Sequence, residues 1–169
     1  MNYDEMRTRA LSGDVILLEG TGFVSKAIRV LTGQSISHIA LLVWMEGGLF
    51  IAEMVEGNGY VITPASQRLK TLKGIVYFGA APKVVTVEPE KVLAQVLEYR
   101  ADKKKQQYGY LSLLKVWWAQ LVHKSYTPTR KVCSTFVQET WQECGFTFAQ
   151  TADPGDFMGH CRYVVKMEV

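Results

Sequence analysis

Cys133 opens the segment Cys133-Ser-Thr-Phe-Val-Gln-Glu-Thr-Trp-Gln-Glu-Cys144-Gly145, in which Phe136, Val137, Trp141 and Cys144 recur at helical spacing. Gln138, Glu139, Gln142 and Glu143 fall on the opposite face, and Gly145 supplies a left-handed cap. Cys133 is therefore expected in the first helical turn, on the face that meets a core. A helix N-terminus carries N–H groups without intrahelical partners and a positive partial charge. Both favour a thiolate, so the thiol pKa falls where the site is partly open. The same N–H groups suit a developing oxyanion. Taken alone, the helix also fits a plain buried cysteine. Cys144 sits at the opposite end, where the dipole opposes a thiolate, and about 16 Å of helix separate it from Cys133, too far for a disulfide. Cys161 follows His160, but neighbours on an extended backbone point apart, so it reads as structural.

The second feature is a histidine and a glutamate in apolar surroundings. His38 stands at the mouth of the apolar run 39–44, and Glu53 interrupts the run 49–55 between Ala52 and Met54. Glu46-Gly47-Gly48 between the runs is a turn signal, so they pair as a hairpin. With an even turn, paired residue numbers sum to an odd number, and Glu53 shares a face with His38, Ala40 and Leu42. His38 and Glu53 are then opposite or diagonal neighbours, close enough for the acid to orient the imidazole and stabilise its cation. An odd turn or a bulge reverses the choice and brings Glu56 to that face. The other reading leaves Glu53 in solvent at a sheet edge and His38 a satisfied core histidine. No two of His38, His123, His160 and the three cysteines have metal-ligand spacing, so neither a metal nor another cofactor is expected.

These residues need a frame to position them. Residues 14–18 (DVILL) predict a short buried strand, and residues 23–31 a helix with Phe23, Ala27, Val30 and Leu31 at helical spacing, stopped by Gly33. The run 39–44 predicts a central strand buried on both faces, with 49–55 as its hairpin partner. Residues 74–78 and 84–87 are further strand candidates. Pro89 opens a helix to about residue 104 with Val92, Val96 and Tyr99 on one stripe, ended by Lys103-Lys104-Lys105. Residues 111–123 predict another helix, Thr127-Pro128-Thr129 breaks the chain, and residues 163–167 predict a closing strand. Strands and helices are segregated, so the expected class is α+β with a mainly antiparallel sheet packed against helices.

The 169 residues (1–169) fit a single domain with a hydrophobic core. A net charge of +3, from scattered basic residues without interleaved aromatics, argues against nucleic acid as a partner. Three cysteines without framework spacing exclude a disulfide-stapled scaffold. The acidic, polar start Met1-Asn2-Tyr3-Asp4-Glu5 is unlike a signal peptide, and no apolar run reaches the ~18 residues of a membrane span. A cytoplasmic protein is the expectation.

Together, Gly13-Asp14-Val15-Ile16, Ser37-His38-Ile39-Ala40-Leu41, Ile51-Ala52-Glu53 and Val132-Cys133-Ser134 give the order histidine, acid, cysteine. This resembles the circularly permuted papain-like cysteine hydrolases, the YiiX-like relatives of the NlpC cell-wall peptidases. Lecithin:retinol acyltransferases are more distant relatives with the same permutation. Tyr108-Gly109-Tyr110 resembles the aromatic position before the family's cysteine helix, and Ala152-Asp153-Pro154-Gly155-Asp156-Phe157 resembles its late Thr-Pro-x-Asp-Leu stretch. The sequence departs from the pattern at Ala40, where glycine often follows the histidine, and in its tryptophan-rich 111–122 segment.

The resemblance implies a cysteine amidase or peptidase in which Cys133 attacks, His38 moves the proton and Glu53 orients it. The Cys133 amide and Tyr108 hydroxyl would bind the oxyanion, with Ser37 and Ser134 beside them at the substrate. The implied partner is a peptide or acyl-amide substrate, with a cell-wall peptide the first candidate. One alternative is lipid acyl chemistry, with Leu111, Leu114, Trp117, Trp118, Leu121 and Val122 as an apolar lip at a membrane surface. These residues fit a core helix better. A non-catalytic peptide-binding or inhibitory protein is the other alternative.

Overall fold

The computed structural model describes residues 1–102 and 132–168. The features expected at Lys103-Lys104-Lys105, Tyr108, residues 111–123 and Thr127-Pro128-Thr129 lie outside them. Six strands form one sheet among the described residues: β1 (Val15–Gly20), β2 (His38–Met45), β3 (Gly48–Val55), β4 (Gly59–Pro64), β5 (Gly74–Ala80) and β6 (Tyr163–Lys166). Their order is β4-β3-β2-β1-β5-β6, with every neighbouring pair antiparallel. β2 is central, as its unbroken apolar run requires: a strand covered on both faces has no side to leave polar.

Alternation divides the strand side chains between two cores. On one face Leu17, Ile39, Leu41, Val43, Ala52 and Met54 pack with two helices, α5 (Pro89–Ala101) and α6 (Cys133–Glu143). The stripe Val92, Val96 and Tyr99 supplies the α5 contact, and Phe136, Val137 and Trp141 supply that of α6. On the other face Ile16, Leu18, Ala40, Leu42, Ile51 and Phe78 pack with Met6 and Ala10 at α1 (Tyr3–Arg9) and with Ala65 of α3 (Ala65–Arg68). Leu69, in the 3-10 turn Leu69–Thr71 that continues α3, joins them.

The geometry of α6 follows from its ends. At its start the Thr135 hydroxyl accepts from the Val132 amide at 2.9 Å and donates to the Val132 carbonyl at 3.1 Å. At its end Gly145 adopts φ 92°. This lets Phe146 N donate to Trp141 O at 3.0 Å and Gly145 N to Gln142 O at 2.8 Å, the paired bonds of a Schellman cap. The Trp141 indole, fully buried, donates to Gly13 O at 2.9 Å and so ties α6 to the entry of β1. Trp141→Ala is expected to cost about 3–5 kcal/mol, the range for emptying a large buried aromatic site, as read by urea unfolding.

Several elements depart from the sequence expectations. Residues 84–87 are not a strand but part of one helical turn, α4 (Lys83–Thr86). β1 and β6 already occupy both edges of β5, and the Pro82 carbonyl accepts from the amides of Val85 and Thr86 instead. In α2 (Phe23–Thr32) the stripe of Phe23 and Val30 faces solvent, 87% and 81% exposed, and Ile28 turns inward. The helix has two apolar sides, and periodicity does not say which one docks. Finally, α1, β4, α3 with its 3-10 turn, and the short helix α7 (Asp156–His160) are additional to the expected elements.

Candidate active site

The site forms where the two layers meet at one end of the sheet. Leu41 pairs with Ala52 and Met45 with Gly48, so paired numbers sum to an odd value and the turn is the two residues Glu46-Gly47. Continuing this register places Glu53 opposite Ala40, diagonal to His38. The His38 imidazole reaches Glu53 through Nε2, 2.7 Å from Oε2. Its other partner is Cys133, whose side chain hydrogen-bonds His38 from the first turn of α6. Glu53 lies on the face of the sheet that carries α3, and Cys133 in the core under α5 and α6. His38, the first residue of β2, joins the two.

Glu53 is 1% exposed, and a carboxylate so placed needs compensation. Arg68, the last residue of α3, supplies it with a fork: Nε donates to Oε1, and Nη2 donates to Oε2 at 3.1 Å. Glu56 lies exposed in the turn after β3. The acid beside His38 is therefore Glu53. Glu53→Ala strands the Arg68 and His38 side chains and is expected to cost about 3–5 kcal/mol. Glu56→Ala is expected to change stability by less than about 0.5 kcal/mol, and urea unfolding of the two variants compares them.

The electrostatics separate this cysteine from the others. Burial opposes charge on the Cys133 thiol. The His38 cation, its hydrogen bond, and backbone hydrogen bonds from Ile39 and Ser134 outweigh it and hold the thiol below its ordinary 9.0. For His38, burial pushes downward, and the charge and hydrogen bond of Cys133, followed by those of Glu53, raise the imidazole to about 10. Burial pushes Glu53 up, but hydrogen bonds from His38 and Arg68, with their charges, bring it to about 2. Burial raises the other two thiols, Cys161 to about 12. The arrangement sets the Cys133 thiol against the His38 imidazole with the Glu53 carboxyl behind it, and each neighbour favours the charged form of the next.

The neighbouring serines behave differently from each other. Ser134 is buried and presents its backbone amide to the Cys133 sulfur. Ser37, expected at the substrate, has a buried hydroxyl that donates to Leu18 O at 3.2 Å and accepts from Gly20 N at 3.0 Å. It braces β1 against the residue that precedes His38. Gly20 permits this approach, since a Cβ there would lie 2.3 Å from Ser25 Oγ and 3.1 Å from Ser37 Oγ. The 152–157 stretch is a turn closed by a side chain: Asp153 Oδ1 accepts from the amides of Gly155 and Asp156. Asp156 Oδ1 in turn accepts from Gln34 Nε2 at 3.1 Å, which fixes the loop leading to His38. Arg68 has no expectation behind it. The one signal available in the sequence is indirect, a glutamate among strand-type apolar residues with no lysine or arginine in its own hairpin.

No family model matches the chain, and no curated protein matches it. Among solved structures, the crystal structure of metalloprotein yiiX from Escherichia coli O157:H7 superposes with a TM-score of 0.61 and 23% sequence identity. The match covers 80% of this chain and 67% of that one. At that identity the likeness is one of architecture: the chain has a YiiX-like α+β fold, the class expected from its segregated strands and helices and the fold that the family resemblance implies.

Proposed function

We propose that this protein is a cysteine hydrolase that cleaves an amide bond through a thioester acyl-enzyme. The observation that carries the reading is the continuous chain from the Cys133 thiol through His38 to Glu53, with the thiol at a helix N-terminus. Cys133 attacks the carbonyl carbon as thiolate, forming the C–S bond. The His38 imidazolium gives its proton to the departing amine as the C–N bond breaks. His38 then takes a proton from water, which attacks the thioester and releases the acid and the thiolate. Glu53 holds the imidazole and stabilises its cation throughout. The Cys133 amide receives the oxyanion. Tyr108 and Ser134 remain proposed partners there.

The likeness to yiiX raises the question of a metal, since that protein is described as a metalloprotein. Among the described residues no group of three or more His, Cys, Asp and Glu side chains could hold an ion. Both Glu53 oxygens are taken by His38 and Arg68. These residues do not fit a metal centre, and the mechanism runs through the side chains.

A peptide amide is the first substrate class to try, with cell-wall peptides foremost on the strength of the sequence resemblance. The test is a panel of peptide anilides and activated acyl esters, with intact-mass analysis of the quenched protein. An acyl adduct on Cys133, lost in Cys133→Ala, is the expected result. No adduct and no turnover across the panel overturns the reading in favour of a binding protein. The pH profile follows from the coupled pair: rate rises with an acid limb below the ordinary thiol range as the thiolate forms. It falls near about 10 as His38 loses the proton that the leaving group needs.

A further inference from the structure

Glu53 is held from two sides, and only one of them belongs to the reaction. His38 takes Oε2, and Arg68 takes both oxygens. The guanidinium is fixed in turn: Nη1 donates to Thr71 Oγ1 at 3.0 Å, and that hydroxyl donates to Arg68 O at 2.8 Å. Arg68 is 23% exposed and Glu53 1%, so the fork plugs a buried carboxylate from the solvent side. We infer that Arg68 is a positioning residue, which keeps Glu53 ionised and turns its carboxylate so that one oxygen faces His38.

The assignment rests on the proposed reaction, because the role matters only if the imidazolium must be kept. The ion-pair partners of Glu53 are His38 from β2 and Arg68 from α3; its neighbour on β4 is Val61, which is uncharged, and Cys133 acts on it through His38. A carboxylate with a single cation partner titrates higher than one with two. Without Arg68, Glu53 takes up its proton at higher pH, and below that pH His38 keeps only the Cys133 sulfur beside it to hold its charge. The planar fork also fixes both oxygens at once, which an ammonium does not do.

The experiment follows the Glu53 carboxyl carbon by NMR in protein labelled at glutamate. It runs on wild type, Arg68→Gln and Arg68→Lys, with the Cys133 thiolate followed in parallel by ultraviolet absorbance. Arg68→Gln is expected to raise the Glu53 midpoint by about one pH unit or more, the usual effect of an adjacent opposite charge. The acid midpoint of the thiolate should rise with it. Arg68→Lys is expected to fall between the two. A protein braced by Arg68 only for packing would lose stability and keep both midpoints, so an unmoved Glu53 in Arg68→Gln overturns the assignment and leaves the thiolate reading intact. If Arg68→Gln does not fold, Arg68→Lys decides: midpoints equal to wild type overturn it. A wild type with no depressed Cys133 titration overturns the catalytic reading, and this role for Arg68 with it.

Discussion

Cys133→Ala is expected to lower turnover by at least ~10⁴-fold, the scale seen when a covalent nucleophile is removed and only binding and oxyanion stabilisation are left. The size follows from the site. The other two thiols, Cys144 and Cys161, are both pushed upward by burial, so neither offers a thiolate near neutral pH. The substitution should leave the fold standing. Thr135 and the Gly145 cap hold the ends of α6, and Phe136, Val137 and Trp141 carry its packing. Loss of activity with a retained unfolding transition is the expected pair of results. Turnover within ~10-fold of wild type would remove Cys133 from the mechanism.

His38→Ala is the second large effect, and its sign is separable from that of Cys133→Ala. The thiol remains, but the cation and hydrogen bond that lead the terms favouring its charge are gone. Burial then prevails, apart from the amides of Ile39 and Ser134, and the thiol midpoint is expected to move up to its ordinary value of 9.0 or above. Turnover should fall by roughly 10³–10⁴-fold at neutral pH, because attack and leaving-group protonation both fail. Rate measured against pH distinguishes the two variants. His38→Ala should regain part of the attack step as pH rises, whereas Cys133→Ala should be flat. Stability adds a further signature. Glu53 has its carboxyl lowered on folding, so its contribution is present above the unfolded 4.5 and is lost as pH falls toward about 2.

Much of this site was legible in the sequence because it depends on local rules. A two-residue turn fixes the register of β2 and β3, and register alone decides that Glu53, not Glu56, shares a face with His38. The position of Cys133 follows from helical spacing and from the glycine that ends α6. What was not legible is tertiary. Arg68 reaches Glu53 across fifteen residues of chain, from a helix of four residues that carries no motif. The hydroxyl of Ser37 is consumed by β1, a strand nineteen residues earlier at Leu18, and only packing reveals that. The apolar sides of α2 illustrate the same limit, since Ile28 docks and Phe23 does not. Two further elements carry weak local signals. Asn2 and Glu5 form a reciprocal capping box at the start of α1. The edge strand β4, largely half-buried and ended by Pro64, has too little alternation to stand out.

The proposed mechanism requires Cys133 and His38 to exist as a thiolate and an imidazolium in the resting protein. The most direct measurement is ultraviolet thiolate absorbance against pH, taken as the difference between wild type and Cys133→Ser, with His38→Ala titrated alongside. This difference reads the charge on one sulfur without a reagent having to reach it. A midpoint well below the ordinary 9.0 of a free thiol, displaced upward in His38→Ala, is the predicted result. A midpoint at or above that value in wild type, unchanged by loss of His38, would contradict the account.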